Sequence, residues 1–253
     1  MSSSPIALRL AGVRERIAAA AERVGRDPAE VTLVAVSKGF DVASIRQALA
    51  TGQRDLGENR VQEALAKYKE VGSLLPGVAR WHFIGRLQRN KAKYLVGWVH
   101  CIHSVDRLEL ASEIDRRAQD LDGAGGGAGV EVLIEVNVSG EEAKGGVEPS
   151  ALPPMLEAVA ALPSLRVAGL MTMAPRVSLP DEARPYFRRL AGLRDEASRR
   201  YPELHLQHLS MGMSQDYEVA VEEGSTIVRI GEAIFGPRSG GPRDGGPRKE
   251  VPI

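Results

Sequence analysis

Lys38 closes the run VTLVAVSK, residues 31–38, in which seven residues suited to a buried parallel strand deliver one long amine to the strand's C-terminal end. That end is where an α/β barrel keeps its chemistry. An amine there can condense with an aldehyde to a Schiff base, provided its surroundings leave part of it unprotonated. A lysine behind a hydrophobic strand equally suits a snorkelling surface position, so the segment alone leaves both roles open. Far along the chain, STIVRIGEAIFG (225–236) puts Arg229 and Gly231 on one face of a strand and leaves a turn of backbone amides at Gly231 and Glu232, where a short helix begins. Just before it, SMGMS (210–214) offers the hydroxyls of Ser210 and Ser214 around a glycine that lets amides approach an anion. Each element also has an ordinary reading: a surface ion pair for Arg229, a serine-capped strand-to-helix turn for SMGMS.

The elements that must position these residues alternate between strand-like and helix-like, the pattern of a parallel sheet wound by crossover helices. Eight strands are expected at 31–37, 54–57, 81–84, 99–103, 130–138, 166–171, 204–209 and 225–230, with amphipathic stretches between them and an extra helix over 6–24. With 253 residues this predicts a single (β/α)8 TIM barrel over 1–237, followed by a disordered Gly/Pro-rich tail over 238–253. GAGGGAG (123–129) follows a helix and precedes a strand, the reverse of a dinucleotide-cradling loop, and reads as a flexible connection on the non-catalytic face.

Lys plus Arg and Asp plus Glu both number 33, so no global field holds the chain on nucleic acid or an anionic membrane. One cysteine, Cys101, excludes an intrachain disulfide framework. The N-terminus mixes apolar and charged residues where a signal peptide would be uniformly apolar, and no stretch reaches membrane-spanning length, so a cytoplasmic protein is expected. His100 with His103 and His205 with His208 have odd spacing, which on a strand sends the rings to opposite faces, so no metal site is expected. SMGMS is not a G-x-S-x-G nucleophile elbow. Met171, Met173, Met211 and Met213 read as core or pocket packing.

In a closed barrel the first strand pairs with the eighth, which brings Lys38 beside Arg229 and the phosphate-binding loops. An amine, a guanidinium and a phosphate cup at neighbouring strand ends meet the anchoring needs of pyridoxal 5'-phosphate (PLP), whose aldehyde, ring nitrogen and phosphate occupy different corners of one ring.

The segments VAVSK, LGENRVQE, WHFIGRLQRNK, HSVD, NVSGEEAKGG, GLMTMAP, LSMGMSQDYEVAVEEGST and VRIGEAIFG run in order from about residue 5 to 238 and resemble the pyridoxal phosphate homeostasis protein family. The resemblance implies a barrel similar to the N-terminal domain of alanine racemase, with Lys38 as the Schiff-base lysine and Arg229 near the pyridine nitrogen. It also implies Ser210, Gly231 and the amide of Glu232 around the phosphate, with Asn59, His82, Met213 and Ser214 lining the pocket. Glu232 departs from the Ser or Thr common in that family. A carboxylate beside a phosphate is repelled, so only its backbone amide is expected to serve.

An arginine at the ring nitrogen discourages its protonation and makes the ring a poor electron sink. Racemisation survives that but needs acid–base groups on both faces of a bound amino acid. In alanine racemase the second is a tyrosine from another domain of the partner subunit. The five tyrosines here mostly fall on predicted helices. The expectation is a monomeric protein that buffers PLP or delivers it to PLP-dependent apoenzymes, with no catalytic residues. A PLP-dependent racemase and a cofactor-free, aldolase-like lysine barrel are the alternatives.

Overall fold

The computed structural model describes residues 4–75, 77–122, 129–141 and 145–237; the expectations for the glycine-rich stretch and the tail fall outside them. Apolar and β-branched runs form eight parallel strands: β1 (Thr32–Val36), β2 (Asp55–Glu58), β3 (Arg80–Phe83), β4 (Cys101–Val105), β5 (Val130–Glu135), β6 (Leu165–Met171), β7 (His208–Ser210) and β8 (Ile227–Ile230). They close into one barrel in sequence order. β8 pairs with β1 in a register that sets Arg229 against Val34, as the expected closure requires.

Around the barrel stand α1 (Pro5–Arg23), α2 (Val42–Leu49), α3 (Val61–Leu74), α4 (Leu108–Asp122), α5 (Leu152–Ala160), α6 (Arg184–Arg200), α7 (Tyr217–Glu222) and α8 (Glu232–Phe235). The connection after β3 carries a 3-10 helix, Arg89–Tyr94, instead of an α-helix. α1 starts with Ser4 as N-cap and Pro5 in the first turn, where a missing N–H costs nothing. Its Leu10, Val13 and Ile17, at three- and four-residue spacing, pack with Ile45, Val221 and Phe235. Full burial of such a side chain contributes roughly 1.5–3 kcal/mol. α1 thus seals the seam where β8 meets β1.

Four strands differ from the sequence reading by two residues or more: β5 ends at Glu135 and β8 begins at Ile227, inside the bounds expected for them, and β4 and β7 are displaced. β4 begins at Cys101, two residues later than expected, so His103 lies in mid-strand. β7 is confined to 208–210 because His205 adopts a left-handed conformation (φ 49°) behind a 3-10 turn, and that conformation cannot continue a ladder.

Inside the barrel, Val34, Cys101, Leu133, Ala168, Met171 and Ile227 form a small apolar cluster. Asp55, His82, His103, Glu135, Ser210 and Arg229 are buried as well. Bulky aliphatic layers are the usual filling of such barrels, so this polar content calls for hydrogen-bond partners.

Gly169 sits where β6 slips against β5, the register shifting between Val132 and Leu133. A Cβ at Gly169 would lie 2.0 Å from the His208 carbonyl oxygen. Gly169→Ala is expected to lower stability in urea unfolding by about 3 kcal/mol or more. Gly12→Ala in α1, where a Cβ meets nothing within 4 Å, should raise it by about 0.5–1 kcal/mol.

Candidate functional site

Lys38 follows β1 in a tight turn closed by the Phe40 amide on the Ser37 carbonyl at 3.0 Å. Gly39 supplies the positive φ (78°) that the turn needs. Both neighbours of Lys38 are gripped from behind. The buried Lys67 ammonium on α3 donates to the Ser37 carbonyl at 2.6 Å, to Glu58 at 2.7 Å and to Glu63 at 2.7 Å. Glu58 also accepts from the Ser37 hydroxyl at 2.7 Å, and Glu63 accepts from the Gly39 amide at 2.5 Å. Three donors on three acceptors leave Lys67 nothing to offer the mouth. Burial pushes the Glu58 carboxyl up against the pull of Lys67. Burial acts the same way on Glu63, but Lys67 and the Gly39 amide outweigh it and hold Glu63 low.

Arg229 is 4% exposed. Its Nη1 donates to Ser210 Oγ at 2.6 Å and its Nη2 to the Thr172 carbonyl at 2.9 Å. Burial lowers its pKa to about 10, opposed by the charges of Glu135 and Asp216. Burial raises Glu135 to about 7 with help from Asp106, while Arg229 and Arg86 pull it back. A carboxyl able to gain or lose a proton near neutrality therefore lies within the field of Arg229.

The loops after β7 and β8 close over this cation. Gly212, at φ 94°, accepts the Arg229 amide at 3.0 Å and has no room for a Cβ against Ala220 and Tyr217. The Met213 amide donates to Asp216 at 2.6 Å, and the Ala233 amide to Ser214 Oγ at 3.5 Å. Gly231 abuts Val36, where an added Cβ would lie 3.2 Å from the carbonyl oxygen. That contact, with the stacked rings of Phe40 and Phe235 at 5.0 Å, sets the start of α8 beside the Lys38 turn.

The residues singled out in the sequence thus fall into two groups. Lys38, Met213, Ser214, Gly231 and Glu232 occupy the turns after β1, β7 and β8, with Met213 and Glu232 exposed. Asn59 follows β2 and lines a cavity of about 480 Å³ with Arg60, Arg86, Lys91 and Arg107. Ser210 and His82, expected at the phosphate cup and the pocket wall, face the barrel interior. Alternation explains both: Ser210 shares the inward parity of His208, and His82 pairs with Gly57 and Cys101 one layer below the strand ends. Their polar atoms bond to interior partners, Ser210 to Arg229 and His103, His82 to His103 and Asp55.

Sequence reasoning missed Asp55, Glu58, Lys67, His103 and Glu135. Inward parity was the available signal for Asp55, His103 and Glu135; nothing local marks the Glu58–Lys67 pair. The potential ligand atoms of His82, Cys101 and His103 lie within 4.8 Å of one another. All four ring nitrogens are already engaged in hydrogen bonds, and burial drives the Cys101 thiol far up, away from the thiolate a metal needs.

Residues 8–239 match the family described as alanine racemase, N-terminal domain. A pyridoxal phosphate homeostasis protein from Aquifex aeolicus is 51% identical over 236 residues, covering 91% of this chain and 97% of that one. The chain belongs to the pyridoxal phosphate homeostasis protein family. The structure of family member PipY from Synechococcus elongatus with PLP bound superposes with a TM-score of 0.79 at 37% identity, over 91% of this chain and all of that one. An alanine racemase from Clostridium difficile, 13% identical with a TM-score of 0.67, shares the fold; the match takes 90% of this chain but 56% of the racemase.

Lys67→Met leaves Glu58, whose Oε2 already has no partner, as an unpaired buried carboxylate. It should destabilise the protein by about 3 kcal/mol. Adding Glu58→Gln should recover part of that loss, giving a coupling energy measurable in a double-mutant cycle by urea unfolding.

Proposed function

We propose that this protein binds PLP at the barrel mouth, holds it through Lys38, and serves in PLP homeostasis by buffering or delivering the cofactor without efficient turnover. The observation that carries this reading is the pairing of β1 with β8, which brings the turn that carries Lys38 next to the strand that carries the buried Arg229 guanidinium. The donor set fits the group. Lys38 suits the aldehyde, Arg229 the ring nitrogen, and the amides of Gly231 and Glu232 the phosphate, with Ser214, Met213 and Asn59 around them. The close approach of Gly231 to Val36 keeps that cradle free of a side chain. Bound PLP supplies an aldehyde carbon that an amine can capture reversibly. Both PipY with PLP bound and the name carried by the Aquifex relative support the reading.

What the chain's own residues do favours retention over turnover. Arg229 stays cationic even at a pKa of about 10, so it offers protons to the ring nitrogen as a donor but does not release one. A racemase would need a second proton carrier opposite Lys38. The tyrosines are occupied elsewhere: Tyr68 stacks on Trp98, Tyr94 lies under Lys91 and Lys93, and Tyr186 packs on the outer core. Tyr201 bonds to Glu157, and Tyr217 is buried beside α1. Glu135, with its carboxyl near pH 7, is the observation that keeps weak racemase-like chemistry as the second reading. Apoenzymes of PLP-dependent enzymes are the proposed recipients. Among the described residues no helix is long and apolar enough to cross a membrane, and the single cysteine is free and buried. Both fit the proposed place of work, the cytoplasm; a monomer is the proposed form.

Borohydride reduction of the PLP-loaded protein followed by peptide mapping should place the label on Lys38, and Lys38→Ala should lose both the label and the visible absorbance. A label elsewhere sinks the assignment. Amino-acid racemisation at enzyme-like rates, abolished in Glu135→Gln, would favour the second reading.

A further inference from the structure

A row of side-chain hydrogen bonds crosses the barrel interior from Arg229 to the opposite face. Arg229 Nη1 meets Ser210 Oγ at 2.6 Å, Ser210 Oγ meets His103 Nδ1 at 2.8 Å, and His103 Nε2 meets His82 Nδ1 at 3.0 Å. His82 Nε2 then meets Asp55 Oδ1 at 3.0 Å, and Asp55 Oδ2 accepts from Arg80 at 2.7 Å. One residue comes from each of β8, β7, β4, β3 and β2, before the row ends at the first residue of β3. Asp55 and Arg80 border a cavity of about 460 Å³ that also meets Arg14, Gln53 and Arg54. The row therefore joins the candidate cofactor site to the far end of the barrel.

Its two ends dictate its direction. A guanidinium only donates, and a carboxylate only accepts. Burial pushes the Asp55 carboxyl up, but the hydrogen bonds of His82 and Arg80 outweigh it and keep the group ionised. His103 is held neutral by burial and by the nearby charge of Arg229. A neutral imidazole has one donor and one acceptor, so with both rings neutral one assignment between these ends satisfies every atom. Ser210 accepts from Arg229 and donates to His103 Nδ1; His103 Nε2–H donates to His82 Nδ1; His82 Nε2–H donates to Asp55. Reversal at any link would set a bare ring nitrogen against another acceptor, either the next ring or the Asp55 carboxylate, in a buried place.

We propose that Asp55, His82 and His103 are positioning residues for Arg229, a hydrogen-bond row of single polarity that fixes the Ser210 hydroxyl as an acceptor and so holds the guanidinium in one orientation beneath the cofactor. This deepens the PLP reading and rests on it for the role of Arg229, while the polarity of the row stands on the protein alone. The row's influence on the cofactor passes through Arg229.

The test uses the full chain with ¹⁵N-labelled histidine, of which there are five, assigned by substitution and read by long-range ¹H–¹⁵N correlation with and without PLP. His82 and His103 should both be neutral and protonated on Nε2. Protonation of either on Nδ1, or an imidazolium at either, overturns the proposal. In the second arm, His103→Gln keeps an acceptor and a donor in the same order, whereas His103→Leu removes both. The Leu variant should bind PLP about tenfold more weakly, with a shifted absorbance-versus-pH profile, and the Gln variant should stay near wild type. Wild-type affinity and profile in His103→Leu, or equal losses in both variants, would overturn it. If the Leu variant does not fold, the tautomers of the wild-type protein decide. Failure of the wild type to take up PLP would instead refute the reading on which the role of Arg229 rests, leaving the tautomer result intact.

Discussion

A cation buried inside a closed barrel is the constraint on which this structure turns. Arg229 cannot shed its proton and has little access to water, so each donor it points into the barrel must find an acceptor. The Ser210 hydroxyl and the Thr172 carbonyl meet that demand directly, and Glu135 and Asp216 offset its charge from further away. The same demand explains why this barrel carries histidines and carboxylates where aliphatic layers usually pack. Closure of β8 on β1 then fixes Arg229 relative to the Lys38 turn.

A second buried charge cluster does for Lys38 what the interior row does for Arg229. Lys67, Glu58 and Glu63 hold the peptide units on either side of Lys38 from outside the sheet, while the interior row works from within. Pairs like these rarely add net stability over apolar substitutes, but they tolerate few alternative arrangements. The result is an amine and a guanidinium in set positions at neighbouring strand ends. A binding protein needs such rigidity as much as an enzyme does, and the tyrosines packed away from the mouth tilt the balance towards binding.

Much of this was legible in the sequence because period-two alternation and strand-helix alternation are local signals. They located the eight strands, put Arg229 and Gly231 on one face, and put Lys38 at a strand end. Boundaries governed by single residues were not legible: the left-handed His205 shortened β7, and the later start of β4 moved His103 from a strand end to mid-barrel. Ser210 looked like a phosphate ligand because it begins a glycine loop, whereas its parity with His208 sends the hydroxyl inward. The Glu58–Lys67 pair was invisible because it joins the outer face of a strand to a helix, and only packing brings them together.

The central claim is that Arg229 would serve as a fixed donor to the pyridine nitrogen of bound PLP, which would keep that ring from acting as an electron sink. The most direct measurement is the ¹⁵N chemical shift of the pyridine nitrogen of ¹⁵N-labelled PLP bound to the protein. The account predicts an unprotonated, hydrogen-bonded nitrogen, shifted towards the free-acceptor position in Arg229→Gln. A pyridinium signal in the wild-type protein would contradict it.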